Sequence, residues 1–145
     1  MSIAALVLLA PAEAAPVKVA SVTAKSSYAS GDVSYPPENI KDGKGGTPWF
    51  EGDPGSGVGS WIELDLGGAH NVTRLVMLPG DWSGGWSKAN RPKELEVKWS
   101  DDTTATWTLT DDYKAQIFVP PSPKSTSTVR IKVNSIFSGS GGSAA

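Results

Sequence analysis

Apolar and polar residues alternate with a period of two in strand-length runs along this chain, and no useful stretch carries the 3.6-residue period of a helix. Successive side chains of a strand point to opposite faces, so each run is a ribbon with one face to bury. In residues 61–66, Ile62, Leu64 and Leu66 share one face while Glu63 and Asp65 take the other. Residues 93–99 set Leu95, Val97 and Trp99 against Glu94, Glu96 and Lys98. The polar connection Ser100-Asp101-Asp102-Thr103 leads into residues 104–110, where Trp107 and Leu109 share a face, so the two runs predict a hairpin. Residues 128–134 alternate again through Val129, Ile131 and Val133. Residues 72–78 are apolar on both faces apart from Thr73 and Arg74, which predicts a central strand covered on both sides. Shorter strands are expected at 17–23 and at 116–119, the latter stopped by Pro120-Pro121-Ser122-Pro123. Residues 26–39, 41–47 and 51–60 read as loops. Ribbons of this length at hairpin spacing predict an all-β fold, an antiparallel β-sandwich.

A chain of 145 residues suits one domain. Its 16 Gly and 11 Pro fit many turns, and 39% hydrophobic content suits a folded core. A net charge of −2, with scattered Lys and Arg, gives no electrostatic case for nucleic acid as a partner. Without cysteine there is no disulfide, thiol nucleophile or cysteine-held zinc. The N-terminus carries an apolar run, residues 3–10, followed by Pro11 and then Ala12-Glu13-Ala14. That pattern reads as the end of a signal-peptide-like leader over 1–15, cleaved after Ala14, with the folded domain at 16–145 and an exported product: secreted, periplasmic or at the cell surface. The basic segment that usually opens such a leader is missing, and the other reading of the run is a hydrophobic strand or helix of the fold itself. It is too short to be a transmembrane segment.

Catalytic signals are weak. The single histidine, His70, sits in Gly67-Gly68-Ala69-His70-Asn71, a turn-like segment with no signalled partner for general base chemistry. Asp101-Asp102 and Asp111-Asp112 are paired carboxylates in turn-like positions, where Asp bonds its own backbone. No nucleophile elbow, phosphate loop or zinc-protease motif occurs, so the chain is read as a non-enzyme. Asn71-Val72-Thr73 is a glycosylation sequon at a strand position.

The binding signal is stronger. Trp82 and Trp86 stand in the Gly/Ser-rich segment 79–91, among Asp81, Lys88, Asn90 and Arg91. Large aromatics in a polar loop suit stacking on the apolar face of a sugar ring, with the polar neighbours bonding hydroxyls. The competing reading folds Trp86 back to plug the sandwich end and pairs Arg91 with an acid such as Glu51. Trp49, Trp61, Trp99 and Trp107 are assigned to the core or its edge. No cofactor is required. A structural calcium is a candidate at residues 39–47, where Asp42 and Thr47 with the carbonyls of Asn39 and Lys44 supply hard oxygen ligands. The alternative there is a plain turn, with Asp42 capping backbone and Gly43 at positive φ.

Several of these segments stand in a telling order: Pro36-Pro37-Glu38-Asn39, Asp42-Gly43, Trp49, Trp61-Ile62-Glu63-Leu64-Asp65-Leu66-Gly67 and Asn90-Arg91-Pro92-Lys93. The series resembles a discoidin domain, the coagulation factor V/VIII type C group of galactose-binding-like jelly-roll sandwiches, over residues 18–145. Residues 86–97 are similar to a bacterial subgroup, the NAD glycohydrolase translocation type. The resemblance implies a non-catalytic binding or targeting module with its ligand site in the loops at one end. Glycan is the first ligand class, and a protein-interaction or adhesion role at a cell surface is the alternative. It also implies a structural calcium near residues 39–47 and a closing strand bearing a Glu. The chain stops at Ala144-Ala145, about where that strand would begin, so it is read as either a fragment or a variant lacking the strand, with an unpaired edge.

Overall fold

The computed structural model describes residues 1–9, 16–42, 46 and 48–141. Two antiparallel sheets face each other across one apolar core. The strands are β1 (Ser2–Leu9), β2 (Ser21–Ala24), β3 (Ala29–Ser30), β4 (Val33–Ser34), β5 (Trp49–Phe50), β6 (Trp61–Val72), β7 (Arg74–Pro79), β8 (Arg91–Trp99), β9 (Thr104–Thr108), β10 (Gln116–Phe118) and β11 (Lys124–Phe137). One sheet has four strands in the order β10-β7-β1-β5, and the other has five in the order β2-β6-β11-β8-β9. β3 and β4 form a small separate hairpin, and Pro37–Asp42 is a 3-10 turn. Among the described residues no helix is long and apolar enough to cross a membrane.

The alternation sets the core. Ile62 and Leu64 from β6, Leu95 and Val97 from β8, and Val129, Ile131 and Val133 from β11 are at most 1% exposed. They meet Leu6 and Leu8 of β1 and Leu75 and Met77 of β7 from the other sheet. Glu63 pairs with Arg130 on the outer face of the five-stranded sheet, a solvated face carrying charge of both signs. Trp61, expected in the core or at its edge, lies on that same outer face, half-buried under the Arg130 guanidinium at 3.9 Å. The period-two pattern explains this, because Trp61 shares its parity with Glu63 and Asp65.

The N-terminal run, read from the sequence as a leader over 1–15 or as a strand or helix of the fold, takes the strand arrangement here. Residues 2–9 are β1, an inner strand paired with β5 on one side and β7 on the other. Met1, Leu6 and Leu8 are at most 1% exposed. An apolar run of strand length between two strands with unpaired edges satisfies both its backbone and its side chains this way. The Met1 ammonium is buried against Glu51 Oε1 at 3.1 Å, and burial lowers its pKa despite the opposing pull of that carboxylate. The expected cleavage motif at residues 12–14 lies outside the described residues, as do Ala144 and Ala145 at the expected break before a closing strand.

Other boundaries moved by pairing. β6 does not stop at Leu66 but bends at Gly67 (φ 73°) and runs to Val72, because β11 extends back to Lys124 alongside it. His70 is therefore an exposed strand residue opposite Thr126. β7 is covered on one face only: Leu75 and Met77 are fully buried, whereas Val76 and Leu78 are half-buried on the outer face. The loop expected at 26–39 contains the β3–β4 hairpin and the start of the 3-10 turn.

Candidate ligand-binding site

Antiparallel pairing gathers one set of loops at one end of the sandwich. Ala24 pairs with Ile62, Trp61 with Lys132, and Arg91 with Phe137. In the other sheet Ile3 pairs with Pro79, and Gln116 with Met77. Residues 51–60, 80–90, 109–115 and 138–141 thus share this end.

The 80–90 loop is held from inside by Arg91, 7% exposed. Its Nη1 donates to the carbonyls of Trp86 (2.9 Å), Ala89 (3.0 Å) and Ser87 (3.5 Å). Its Nε and Nη2 donate to the two carboxylate oxygens of Asp111 at 2.8 and 3.2 Å, a forked pair. The guanidinium also lies 4.2 Å from the centre of the Trp86 ring. Arg91, expected as a ligand contact, is thus buried beneath the loop that it organises, and its acidic partner is Asp111 and not Glu51. Glu51 is occupied by the Met1 ammonium and the Asp53 N–H.

Asn90 departs from expectation in the same way. It is 2% exposed, donates to the Ser56 carbonyl at 3.1 Å and accepts from the Gly139 N–H at 2.9 Å, tying three loops together. Asp81, 9% exposed, turns inward and accepts from the backbone N–H and hydroxyl of Ser83. Gly80 makes the tight start of the loop: at φ 86° its backbone disfavours a side chain, and a Cβ there would lie 2.9 Å from Trp86.

Trp82 and Trp86 are half-buried, and both indole N–H groups donate to the Pro79 carbonyl, at 2.9 and 3.1 Å. Trp86 stacks on Tyr113 (5.5 Å, 28°) and Trp82 meets the same ring edge-on (4.5 Å, 70°). Tyr113 is 56% exposed. It escaped the sequence reading, although it is the sole aromatic in the polar segment 110–115. Lys88 is exposed at the rim. Of the expected site residues the structure thus brings Trp82, Trp86 and Lys88 to the surface, adds Tyr113, and turns Asp81, Asn90 and Arg91 into the scaffold beneath.

The candidate calcium loop is described in part. The Asn39 amide donates to the Pro48 carbonyl at 3.1 Å, and its backbone N–H bonds the Pro36 carbonyl. Lys44 and Thr47 lie outside the described residues, and of Asp42 only the backbone position in the 3-10 turn is described. Asn39 alone does not make a calcium site. Among the described residues no group of three or more His, Cys, Asp or Glu could hold a metal.

Comparison with known proteins gives three findings. Residues 14–143 match the family described as the NAD glycohydrolase translocation F5/8 type C domain. No curated protein sequence matches the chain. Among solved structures, the family 32 CBM from C. perfringens NanJ in complex with galactose is similar at a TM-score of 0.64 and 19% identity, covering 84% of this chain and 85% of that one. CpGH89CBM32-5 from Clostridium perfringens, in complex with GalNAc-beta-1,3-galactose, is similar at 0.65 and 19%, covering 84% and 86%. The CBM32 of AlyQ in complex with 4,5-unsaturated mannuronic acid is similar at 0.58 and 20%, covering 83% and 86%. At this identity the likeness establishes the shared fold.

Proposed function

This chain belongs to the NAD glycohydrolase translocation F5/8 type C domain family, and on that premise we propose that it is a non-catalytic binding or targeting module that recognises carbohydrate through its end loops. The carrying observation is the aromatic group Trp82, Trp86 and Tyr113, gathered at the loop end on a scaffold of internal hydrogen bonds. A rigid aromatic surface loses little entropy on binding and suits the apolar face of a sugar ring. Lys88, exposed on the same loop as the tryptophans, and the Tyr113 hydroxyl are groups able to serve as directional partners for ring hydroxyls. The galactose and GalNAc-beta-1,3-galactose held by the two C. perfringens modules support the choice of ligand class. A surface this small and open binds modestly, and several copies on one target raise the avidity.

Export belongs to the same proposal. The Ala12-Glu13-Ala14 motif supports it, and the family match begins at residue 14, the last residue of that motif. Fractionation of the expressing host tests it: accumulation solely in the cytoplasm removes this part.

The second reading, a protein-docking module, is favoured by a different surface. Ile117 (55% exposed) and Val119 (63%) on and beside β10 adjoin half-buried Val76, giving the four-stranded sheet an apolar outer face. A glycan array probed with the wild-type protein and with Trp82→Ala, alongside a denaturation curve for each, separates the two. Binding to sugars that Trp82→Ala loses without unfolding is the expected result. No binding to any sugar leaves the protein-docking reading.

A further inference from the structure

We infer that Tyr113, on the β9–β10 loop, contacts the sugar alongside Trp82, and that the Asp111–Arg91 pair positions it. This rests on the glycan-binding reading above. Three observations carry it. The first concerns exposure. The Trp86 indole has Tyr113 against it at 28° and also carries the Arg91 guanidinium 4.2 Å from its centre. Trp82 is half-buried and abuts Tyr113. Tyr113 is the most exposed aromatic ring of the group, at 56%.

The second concerns polar groups. Both indole N–H groups are committed to the Pro79 carbonyl. Among the described residues the Tyr113 hydroxyl has no hydrogen-bond partner, so a phenol that can both donate and accept stands on the most exposed ring of the group.

The third concerns position. The segment 109–115 is anchored at three points. Leu109 N–H bonds the Lys93 carbonyl at 2.7 Å, the Gln116 side chain and Thr110 bond each other, and Asp111 takes the forked pair with Arg91. Arg91 in turn holds the carbonyls on which the Trp86 segment is shaped. One guanidinium therefore sets the 80–90 loop and the Tyr113 loop relative to each other. Asp111 is more exposed than Arg91, with side-chain exposures of 42% and 8%, so neutralising Asp111 perturbs the loop while leaving the buried cation in its cage of carbonyls.

The test uses the full chain with galactose, GalNAc-beta-1,3-galactose and a broad panel of immobilised mono- and disaccharides as probes. Tyr113→Ala is expected to weaken binding about tenfold or more with an unchanged melting temperature, and Tyr113→Phe to keep most of it. Asp111→Asn is expected to weaken binding and to alter the near-ultraviolet circular dichroism of the Trp82–Trp86–Tyr113 group, a signal read without any sugar. Wild-type binding that Tyr113→Ala retains in full overturns the contact and leaves the glycan reading standing. An Asp111→Asn spectrum and affinity equal to wild type overturn the positioning role. Failure of the wild type to bind any probe removes the glycan reading, and this inference with it.

Discussion

Arg91 holds two loops together at one end of the sandwich. Its side chain is buried, and its donors are spent on three loop carbonyls and one carboxylate. Arg91→Lys keeps the charge and loses the fork, so lysine does not substitute. Gly80 works at the same scale. Gly80→Ala is expected to cost about 1–3 kcal/mol through the strained positive φ, and to disturb Trp86, whose ring a Cβ would meet at 2.9 Å. Urea denaturation with Trp fluorescence reads both effects. At the opposite end of the sandwich, hydrogen bonds from Lys124 first, then from the Thr103 hydroxyl and N–H, hold the Asp101 carboxyl well below the usual carboxylate range. A depressed folded-state pKa contributes stability above the unfolded value and loses it as pH falls through the folded one. Acidification below about pH 4 should therefore lower the urea midpoint, and Lys124→Met should shrink that fall. An identical acid dependence in Lys124→Met would contradict this account of the hairpin turn.

At the scale of elements, the strands whose alternation runs four or more residues were legible: the cores of β6, β8, β9 and β11 lie where the period placed them. Their ends were not, because ends are set by partners. β6 continues past Leu66 only because β11 offers Thr126, Ser125 and Lys124 to pair with. Parity in Trp61 was readable and points to the outer face, whereas size alone left the core and its edge both open. β1 could not be assigned from composition, since an apolar run of eight residues serves a leader and an inner strand equally well. The structure puts β1 between β5 and β7, so in a chain that carries residues 1–9, Leu6→Ala is expected to cost about 2–5 kcal/mol, as is Leu64→Ala across the core. Equal midpoints for Leu6→Ala and wild type would mean that β1 does not occupy that place in solution.

At the scale of the whole molecule, the two outer faces differ in kind. The five-stranded sheet shows charge of both signs to solvent, and the four-stranded sheet shows Val76, Leu78 and Ile117. The loops at one end carry the candidate site. That residues 79–91 bring aromatic rings to the loop end was legible from the tryptophans in a polar loop. Which side chains face outward was not, because hydrogen bonds between loops distant in sequence decide it: Asn90 to Ser56 and Gly139, and Arg91 to Asp111. The central claim is that this end binds carbohydrate. The most direct test is titration calorimetry of galactose and of the strongest array sugar into wild-type protein and Trp82→Ala, with both melting temperatures measured. Saturable binding by the wild type, lost in a Trp82→Ala protein of near-equal stability, is the predicted result. A wild type that binds no sugar, or a folded Trp82→Ala protein that binds as tightly as wild type, would contradict it.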